Sequence, residues 1–284
     1  MKLNFDSTKT VKVIIPILLA VGYIVPSTYP KRIISLGPTI TEEIYLLGVG
    51  DRLLADTIYC RKPPEAQKKI KIGTVREVNL EKVVSLKPDL VLTTSLTDPK
   101  TKEKLNNLKI RVVDFPTAKS FDDLCKQFLE LGEIIGEKKK AEKAIAAAKQ
   151  KVDFIKKKVD NFQKPRVFVQ VGARPLFTVT KDSFVNDFIK LAGGINIASD
   201  AKNGIFSREE VVRRNPDVII IATMGIIGED EKKVWQRYKT INAARNNRIY
   251  IVNSEELCSP TPINFPETLK EMVKILYPEK REGR

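Results

Sequence analysis

The sequence predicts an α/β protein of two Rossmann-like lobes, each with a parallel-rich sheet, joined by one long α-helix. Short runs of β-branched residues alternate with amphipathic helical patterns, which is typical of βαβ units. One segment occurs twice, as LEKVVSLKPDLVLTTS at 80–95 and REEVVRRNPDVIIIAT at 208–223. The copies stand 128 residues apart, as Glu81 and Glu209 show, which is too far for a solenoid repeat. The spacing therefore favours two similar lobes with this unit at an equivalent place.

The predicted first lobe covers residues 31–137. It starts with a short β run at 31–36, and a helix follows for which Thr39 and Glu42 are expected to form a capping box. In the first copy of the repeat, Asn79 is the expected cap of a short helix, which places Glu81 at its second position. A turn at Pro-Asp then leads into a buried strand.

The predicted linking helix covers residues 138–160. An uninterrupted apolar stripe recurs at steps of three and four residues, which is the spacing of one helix face. About 22 residues of helix span roughly 33 Å, about one domain diameter. No Gly-rich or Ser-rich linker separates the halves, so we expect this helix to join them stiffly. The stripe consists of Ala141, Ile145, Ala148, Val152, Ile155 and Val159.

The predicted second lobe covers residues 163–278, and a short tail follows at 279–284. Its copy of the repeat begins with Ser207 and Glu210 at capping-box spacing. This start places Glu209 at the second helical position, as in the first copy.

The N-terminal residues 1–27 read as an export segment. A lysine-bearing start precedes thirteen apolar-rich residues, VIIPILLAVGYIV. This run is short for a membrane span and has the length of a signal-peptide core. We expect an exported protein whose mature chain starts near Thr28, with an uncleaved membrane anchor as the alternative.

The charge balance bounds the partners. The chain of 284 residues carries a formal charge of +15, which suits nucleic acid, an anionic membrane surface or an anionic ligand. Much of the lysine is spread through helical patterns, and no basic patch is interleaved with aromatic residues. Solvated helix faces are therefore favoured, and no nucleic-acid partner is predicted.

The residues that carry most catalytic and metal chemistry are missing. The chain has no histidine, which removes Ser-His and Cys-His catalysis and the commonest metal ligand. The three cysteines lack zinc spacing, and no phosphate-binding or dinucleotide-binding glycine motif is complete. No catalytic residue, metal site or cofactor is predicted. A disulfide between Cys60 and Cys258, both in predicted loops, is left open.

Candidate ligand contacts come from the predicted loops. In open α/β sheets, ligands bind beyond the carboxyl ends of the strands, and in two lobes those ends can face one another across a cleft. Aromatic and arginine side chains in these loops suit a flat or anionic ligand. The residues that stand out are Tyr59, Arg61, Arg76, Arg174, Phe177 and Phe206.

Several segments, taken together in order, resemble the iron-chelate and cobalamin substrate-binding proteins of bacterial ABC importers, the class III binding proteins. These segments are KRIISLGPTITEEIYLLGVGDRL, YCRKPPEA, IGTVREVNLEKVVSLKPDLVL and FSREEVVRRNPDVIII. The resemblance implies a monomer outside the cytoplasm that carries a metal-chelate ligand to membrane permease subunits. It also implies that Glu81 and Glu209 dock to permease arginines. Stabilisation of each helix dipole by an acidic first turn is the alternative reason for these two residues.

The resemblance favours cobalamin or another corrinoid first, through YCRKPPEA and VNLEKVVSLKPDL, and then a ferric siderophore or haem. Cobalamin binders of the family place several tryptophans around the cleft. This chain has only Trp235, within a helical pattern, and carries Val75 and Asn203 where a tryptophan is expected. Haem would need Tyr59 or Cys60 as its axial ligand. An exported enzyme and a ligand-sensing domain on the same fold are the alternatives.

Overall fold

The structure, a computed structural model, describes residues 29–222 and 228–278. The predicted export segment at 1–27 and the tail at 279–284 lie outside the described residues. Within the described ranges, none of the helices has the length and apolar character needed to cross a membrane.

The first lobe is built on a parallel five-stranded sheet with the strand order β3-β2-β1-β4-β5. The order reverses between β1 and β4, and such switch points are where open α/β sheets bind ligands. The strands are β1 (Ile33–Ser35), β2 (Leu53–Asp56), β3 (Ile70–Lys71), β4 (Leu90–Thr94) and β5 (Val112–Phe115). The helices are α1 (Pro38–Leu46), α2 (Leu80–Ser85), α3 (Pro99–Asn107) and α4 (Phe121–Ile135).

The linking helix α5 runs over Lys138–Val159. Its apolar stripe faces inward and serves both lobes. Ala141 belongs to the buried cluster of the first lobe, and Val152 and Ile155 belong to that of the second. Ile145 packs against both clusters. One helix therefore contributes to two cores.

The second lobe has a mixed, mostly parallel sheet in the order β10-β9-β6-β7. The strand β8 pairs with the start of β6, and β7 runs antiparallel to the end of β6. The strands are β6 (Arg166–Ala173), β7 (Leu176–Thr178), β8 (Ile195–Asn196), β9 (Val218–Ile221) and β10 (Ile249–Ile251). The helices are α6 (Phe184–Leu191), α7 (Arg208–Arg214), α8 (Gly228–Gln236), α9 (Asn242–Arg245), α10 (Ser254–Cys258) and α11 (Phe265–Leu276). The predicted fold class, two parallel-rich α/β lobes joined by a long helix, is confirmed.

The two copies of the repeat form the same unit, a short helix followed by a buried strand. These are α2 and β4 in the first lobe and α7 and β9 in the second. Asn79 caps α2 by accepting a 2.9 Å hydrogen bond from the backbone N–H of Lys82. Ser207 caps α7 by accepting a 3.1 Å bond from the N–H of Glu210. Both predicted N-cap residues are confirmed, but the capping box is only half formed, because the Glu210 carboxylate bonds Arg213 and Arg214 instead of the Ser207 N–H.

The capping box predicted at Thr39 and Glu42 is wrong. The helix α1 starts at Pro38, two residues earlier than a cap at Thr39 would place it, and its cap residue Gly37 makes no side-chain cap bond. Proline suits the first helical position because it lacks the N–H that would be unsatisfied there. The carboxylate of Glu42 instead accepts a 3.3 Å hydrogen bond from the side chain of Asn264, in the second lobe.

Candidate functional site

The carboxyl edge of the first-lobe sheet has a buried hydroxyl and thiol floor. The hydroxyl of Thr41 lies 2.9 Å from that of Ser35 and 3.2 Å from the sulfur of Cys60. Thr57 also lies within hydrogen-bonding distance of this sulfur, at 3.3 Å. Burial raises the pKa of the Cys60 thiol, which keeps it neutral. The floor is therefore an uncharged layer of buried side chains.

Three exposed apolar residues lie in the loops at the same edge of the sheet, and we name them the first lip: Ile58, Tyr59 and Leu96. Their exposed fractions are 48%, 52% and 58%. Ile58 and Tyr59 follow β2, whereas Leu96 follows β4, so they flank the end of the intervening strand β1. Sequence reasoning selected Tyr59 and missed the other two, although both directly follow a buried strand.

The second lobe carries a matching pair, Phe177 and Ile205, which we name the second lip. The two residues are partners in an antiparallel bridge and are 37% and 55% exposed. Phe177 lies beside Gly172 of β6, where an added Cβ atom would stand only 3.1 Å from the Cβ of Phe177. A glycine at 172 therefore leaves room for the ring. Ile205 was not predicted; its position next to Phe206 in a selected loop was the available indication.

The predicted arginines occupy exposed turns. Arg174 lies in the turn between β6 and β7, so it is on the same hairpin as Phe177. Arg76 lies in the loop that leads from β3 to α2, which is closed by a bridge between Gly73 and Val78. Arg174 thus lies close to Phe177 of the second lip in the sequence, whereas Arg76 lies in the loop before α2.

Phe206 is placed differently from the other predicted contacts. Its ring stacks on Phe168 of the second-lobe core with centroids 5.9 Å apart. The guanidinium of Arg214 lies 5.0 Å from the ring centroid. The Phe206 ring is therefore packed against other side chains of the protein, so the structure does not place Phe206 with the exposed aromatic residues.

Two polar contacts join the lobes beside the lips. Arg61, two residues after Tyr59, lies 3.7 Å from the carboxylate of Glu255 in α10. The pair is largely exposed, so its contribution to stability is small. The second contact is the Glu42–Asn264 hydrogen bond. Burial raises the pKa of Glu42, and the Asn264 amide opposes this rise. The loop that carries Tyr59 therefore reaches the second lobe.

A cavity of about 550 Å³ opens in the second lobe next to these loops. Its lining mixes apolar side chains with hydroxyl groups, an amide and a carboxylate. Asn203, at one edge, has a left-handed backbone with φ of 53°. The polar part of the lining consists of Thr178, Thr180, Asp182, Ser183 and Asn203.

The disulfide that the sequence left open does not form. Cys60 and Cys258 are both free thiols. Cys60 is held in the floor of the first lobe, whereas Cys258 borders the cavity of the second. Burial raises the pKa of Cys258 to about 11. Within the described ranges, no group of three or more His, Cys, Asp or Glu side chains could hold a metal ion.

The single tryptophan is buried and belongs to neither lip. Trp235 is fully buried in the second-lobe core and donates a 2.6 Å hydrogen bond to the side chain of Gln170. The aromatic surface of the candidate cleft is therefore supplied by Tyr59 and Phe177.

The two glutamates of the repeat occupy equivalent, exposed positions. Glu81 is the second residue of α2, and Glu209 is the second residue of α7. Hydrogen bonds from its own backbone N–H and from the Ser207 hydroxyl lower the pKa of Glu209. A carboxylate at the start of each helix is thus exposed to solvent.

Comparison with known proteins places this geometry in a family. The model of the family described as periplasmic binding protein matches residues 33–256. An ABC transporter substrate-binding lipoprotein of Bacillus subtilis is 32% identical over 88% of this chain and 81% of its own length. A vitamin B12-binding protein of Pectobacterium atrosepticum is 31% identical over 81% of this chain and 88% of its own.

The fold has a solved counterpart of similar extent. The crystal structure of the periplasmic vitamin B12-binding protein of Vibrio cholerae superposes with a TM-score of 0.77 at 26% identity. The match covers 89% of this chain and 99% of that one. Similarity of this extent implies an extracytoplasmic location and the membrane permease of an ABC transporter as partner. The chain therefore belongs to the periplasmic binding protein family, as a substrate-binding protein of the class III ABC importer type.

Proposed function

We propose that this protein captures a metal-chelate ligand between its lobes and delivers it to an ABC importer, with cobalamin or another corrinoid as the first choice. The observation that carries the proposal is the pair of exposed apolar lips. Tyr59 with its neighbours in the first lobe and Phe177 with Ile205 in the second offer flat apolar surface to a large ring. The vitamin B12-binding relatives support this choice of ligand class.

The polar periphery of such a ligand has suitable partners. Arg61 and Arg174 stand in the same loops as Tyr59 and Phe177 and can bind carboxylate, amide or phosphate groups at the ring edge. The second-lobe cavity adds hydroxyl and amide groups. We assign ligand contact to Tyr59, Arg61, Arg174 and Phe177, and a peripheral place to Arg76. Phe206 supports the second lip from below, through its place next to Ile205.

Haem is the second candidate, because Tyr59 can supply an axial phenolate. Of the two side chains considered for this role, Cys60 is only 1% exposed and is held by two threonine hydroxyls, whereas Tyr59 is 52% exposed. Tyrosine is a known axial ligand of haem iron. The relatives support a transport role rather than an enzymatic or sensing one.

The test is an absorbance spectrum of the protein after incubation with cyanocobalamin, haemin or a ferric siderophore, followed by desalting. We expect cyanocobalamin to remain with the protein. Tyr59→Phe separates the first two ligands, because it keeps the ring and removes the phenolate. The variant should retain cyanocobalamin, whereas axial ligation of haemin should be lost. Failure to retain any of the three would contradict the proposed function.

A further inference from the structure

A buried chain of hydrogen bonds crosses the second lobe between the lip and the helix that carries Glu209. Arg208 donates a 2.6 Å hydrogen bond to Oε2 of Glu231. The side chain of Gln170 donates a 2.8 Å bond to the same oxygen. Glu231 therefore ties the start of α7 to the middle of β6, and we name these three residues the polar chain.

The polar chain is set in the apolar core. Gln170 is fully buried, and Glu231 is 6% exposed. The guanidinium of Arg208 lies 4.8 Å from the centroid of the Trp235 ring, and its Nη1 is buried with no hydrogen-bond partner among the described residues. Buried charged networks stabilise a fold poorly compared with apolar packing, so their best-supported use is to fix one arrangement.

The two ends of the polar chain reach two candidate functional surfaces. At one end, the Gln170 amide also donates a 3.3 Å hydrogen bond to the carbonyl of Gly172, which pairs in register with Phe177 of the second lip. At the other end, Arg208 is the first residue of α7 and directly precedes Glu209. The hairpin and the first residue of α7 are therefore joined by three consecutive hydrogen bonds.

Duplication of an ancestral unit does not account for this arrangement. In the first lobe, the position equivalent to Arg208 is Leu80, the first residue of α2. An apolar residue there cannot make the corresponding ion pair. The polar chain is thus a feature of the second lobe, added to a unit that both lobes share.

We propose that Gln170, Glu231 and Arg208 are positioning residues that couple ligand at the second lip to the orientation of α7, so that Glu209 is presented differently in loaded and empty protein. This inference rests on the proposed function for its ligand and on the docking role that the family resemblance implies for Glu209. A ligand that contacts Phe177 shifts or immobilises the β6–β7 hairpin. The polar chain passes that restraint to the start of α7 because its members are joined in sequence by hydrogen bonds.

The test measures hydrogen exchange of the α7 amides in a ligand-free mutant cycle. Phe177→Ala should change exchange in α7 by roughly 2- to 30-fold in the wild-type background, the range expected of such couplings. In a Glu231→Gln background the same substitution should leave α7 unchanged. Glu210→Gln is the matched control, because the Glu210 carboxylate bonds Arg213 and Arg214 within α7 and does not touch the hairpin.

A second background guards against loss of folding. Should Glu231→Gln fail to fold, the double variant Arg208→Leu with Glu231→Leu removes both charges together, and Leu80 shows that leucine fits the helix position. Equal responses of α7 to Phe177→Ala in the wild-type and chain-broken backgrounds would overturn the proposal.

Loaded protein provides the final arm. Cyanocobalamin should slow exchange in α7 of the wild type and of Glu210→Gln but not of Glu231→Gln, although all three retain the ligand. If cyanocobalamin does not bind while the mutant cycle shows coupling, the ligand assignment fails and the positioning role stands. If Glu231→Gln retains cyanocobalamin and the ligand slows exchange in α7 as much as in the wild type, the positioning role alone is wrong.

Discussion

Asp217 accepts a 2.9 Å hydrogen bond from the backbone N–H of Arg166. In return, the Arg166 guanidinium donates to the carbonyl of Arg214 at the end of α7. The first lobe repeats this clamp, since Asp89 accepts from the N–H of Arg32 and the Arg32 side chain donates to the carbonyls of Leu86 and Lys87, just after α2. The Pro-Asp of each repeat thus fixes the start of the central strand, a structural role that is separate from the glutamates.

We expect Asp89→Ala and Asp217→Ala to destabilise the protein without affecting transport contacts. Each loses backbone hydrogen bonds to a charged acceptor, which should cost about 1–3 kcal/mol, and less at the exposed Asp89 than at the half-buried Asp217. Urea unfolding measures the loss. Unchanged unfolding midpoints for both variants would show that the clamp does not stabilise the protein and does not explain the Pro-Asp of the repeat.

If Glu81 and Glu209 dock to permease arginines, as the family resemblance implies, a charge reversal at both should abolish delivery while leaving the fold intact. Glu81→Lys combined with Glu209→Lys would replace the attraction by repulsion. Both sites are exposed, so the free energy of unfolding should change by only about 0.5 kcal/mol, apart from the helix-dipole contribution. The measurement is ATP hydrolysis by the reconstituted importer as loaded protein is added.

The control for that experiment is Glu267→Lys with Glu271→Lys on α11, two exposed glutamates outside the repeat. This pair should stimulate the importer normally. Full stimulation by the Glu81 and Glu209 double variant, with normal ligand binding, would show that the docking interpretation is wrong.

The aromatic residues of the two lips should each contribute to ligand affinity. Tyr59→Ala and Phe177→Ala remove large flat surfaces from opposite lobes, and each should weaken cyanocobalamin binding by about tenfold or more. Ligand titration measures the loss, with Phe154→Ala on the exposed face of α5 as a control. Identical titration curves for the two lip variants and the wild type would rule out this cleft assignment.

Stability should depend on pH through Glu43. This side chain is buried in α1, and burial raises its pKa well above the ordinary value. Between the ordinary carboxyl pKa and the raised pKa, Glu43 is therefore protonated in the folded state and ionised in the unfolded state. Stability from this group falls as pH rises from the ordinary pKa toward the raised pKa. Glu43→Gln should flatten this fall, as measured by melting temperature across pH; an unchanged pH profile would contradict it.

A substitution of the residue before the proline in the first copy of the repeat should stabilise the protein. Lys87 and Asn215 both adopt left-handed backbone, with φ of 45° and 44°. Asparagine tolerates this region better than lysine. Lys87→Asn, which borrows the residue of the second lobe, should raise the free energy of unfolding by a few tenths to about 1 kcal/mol. Lys109→Asn, at another left-handed position (φ of 61°), is the matched comparison.

Local patterns predicted the parts of this fold that depend on local chemistry. The stripe of α5 and the caps Asn79 and Ser207 follow from helical periodicity and from hydrogen bonding within one turn. The supposed box at Thr39 was wrong because Pro38 takes the first helical position just as well. The apolar residues Ile58, Leu96 and Ile205 were missed because exposure in a loop depends on distant parts of the chain. The inward turn of Phe206 onto Phe168 is a tertiary contact of the same kind.

The sharing of α5 by both cores has a thermodynamic consequence. Ala141 and Val152 lie on one helix yet belong to different buried clusters, so neither lobe has a complete core without it. Unfolding of one lobe would remove apolar contacts from α5, and the other lobe needs this helix to complete its own core. The chain should therefore unfold as a single calorimetric unit, despite its duplicated architecture, and a lobe expressed alone would expose an apolar face.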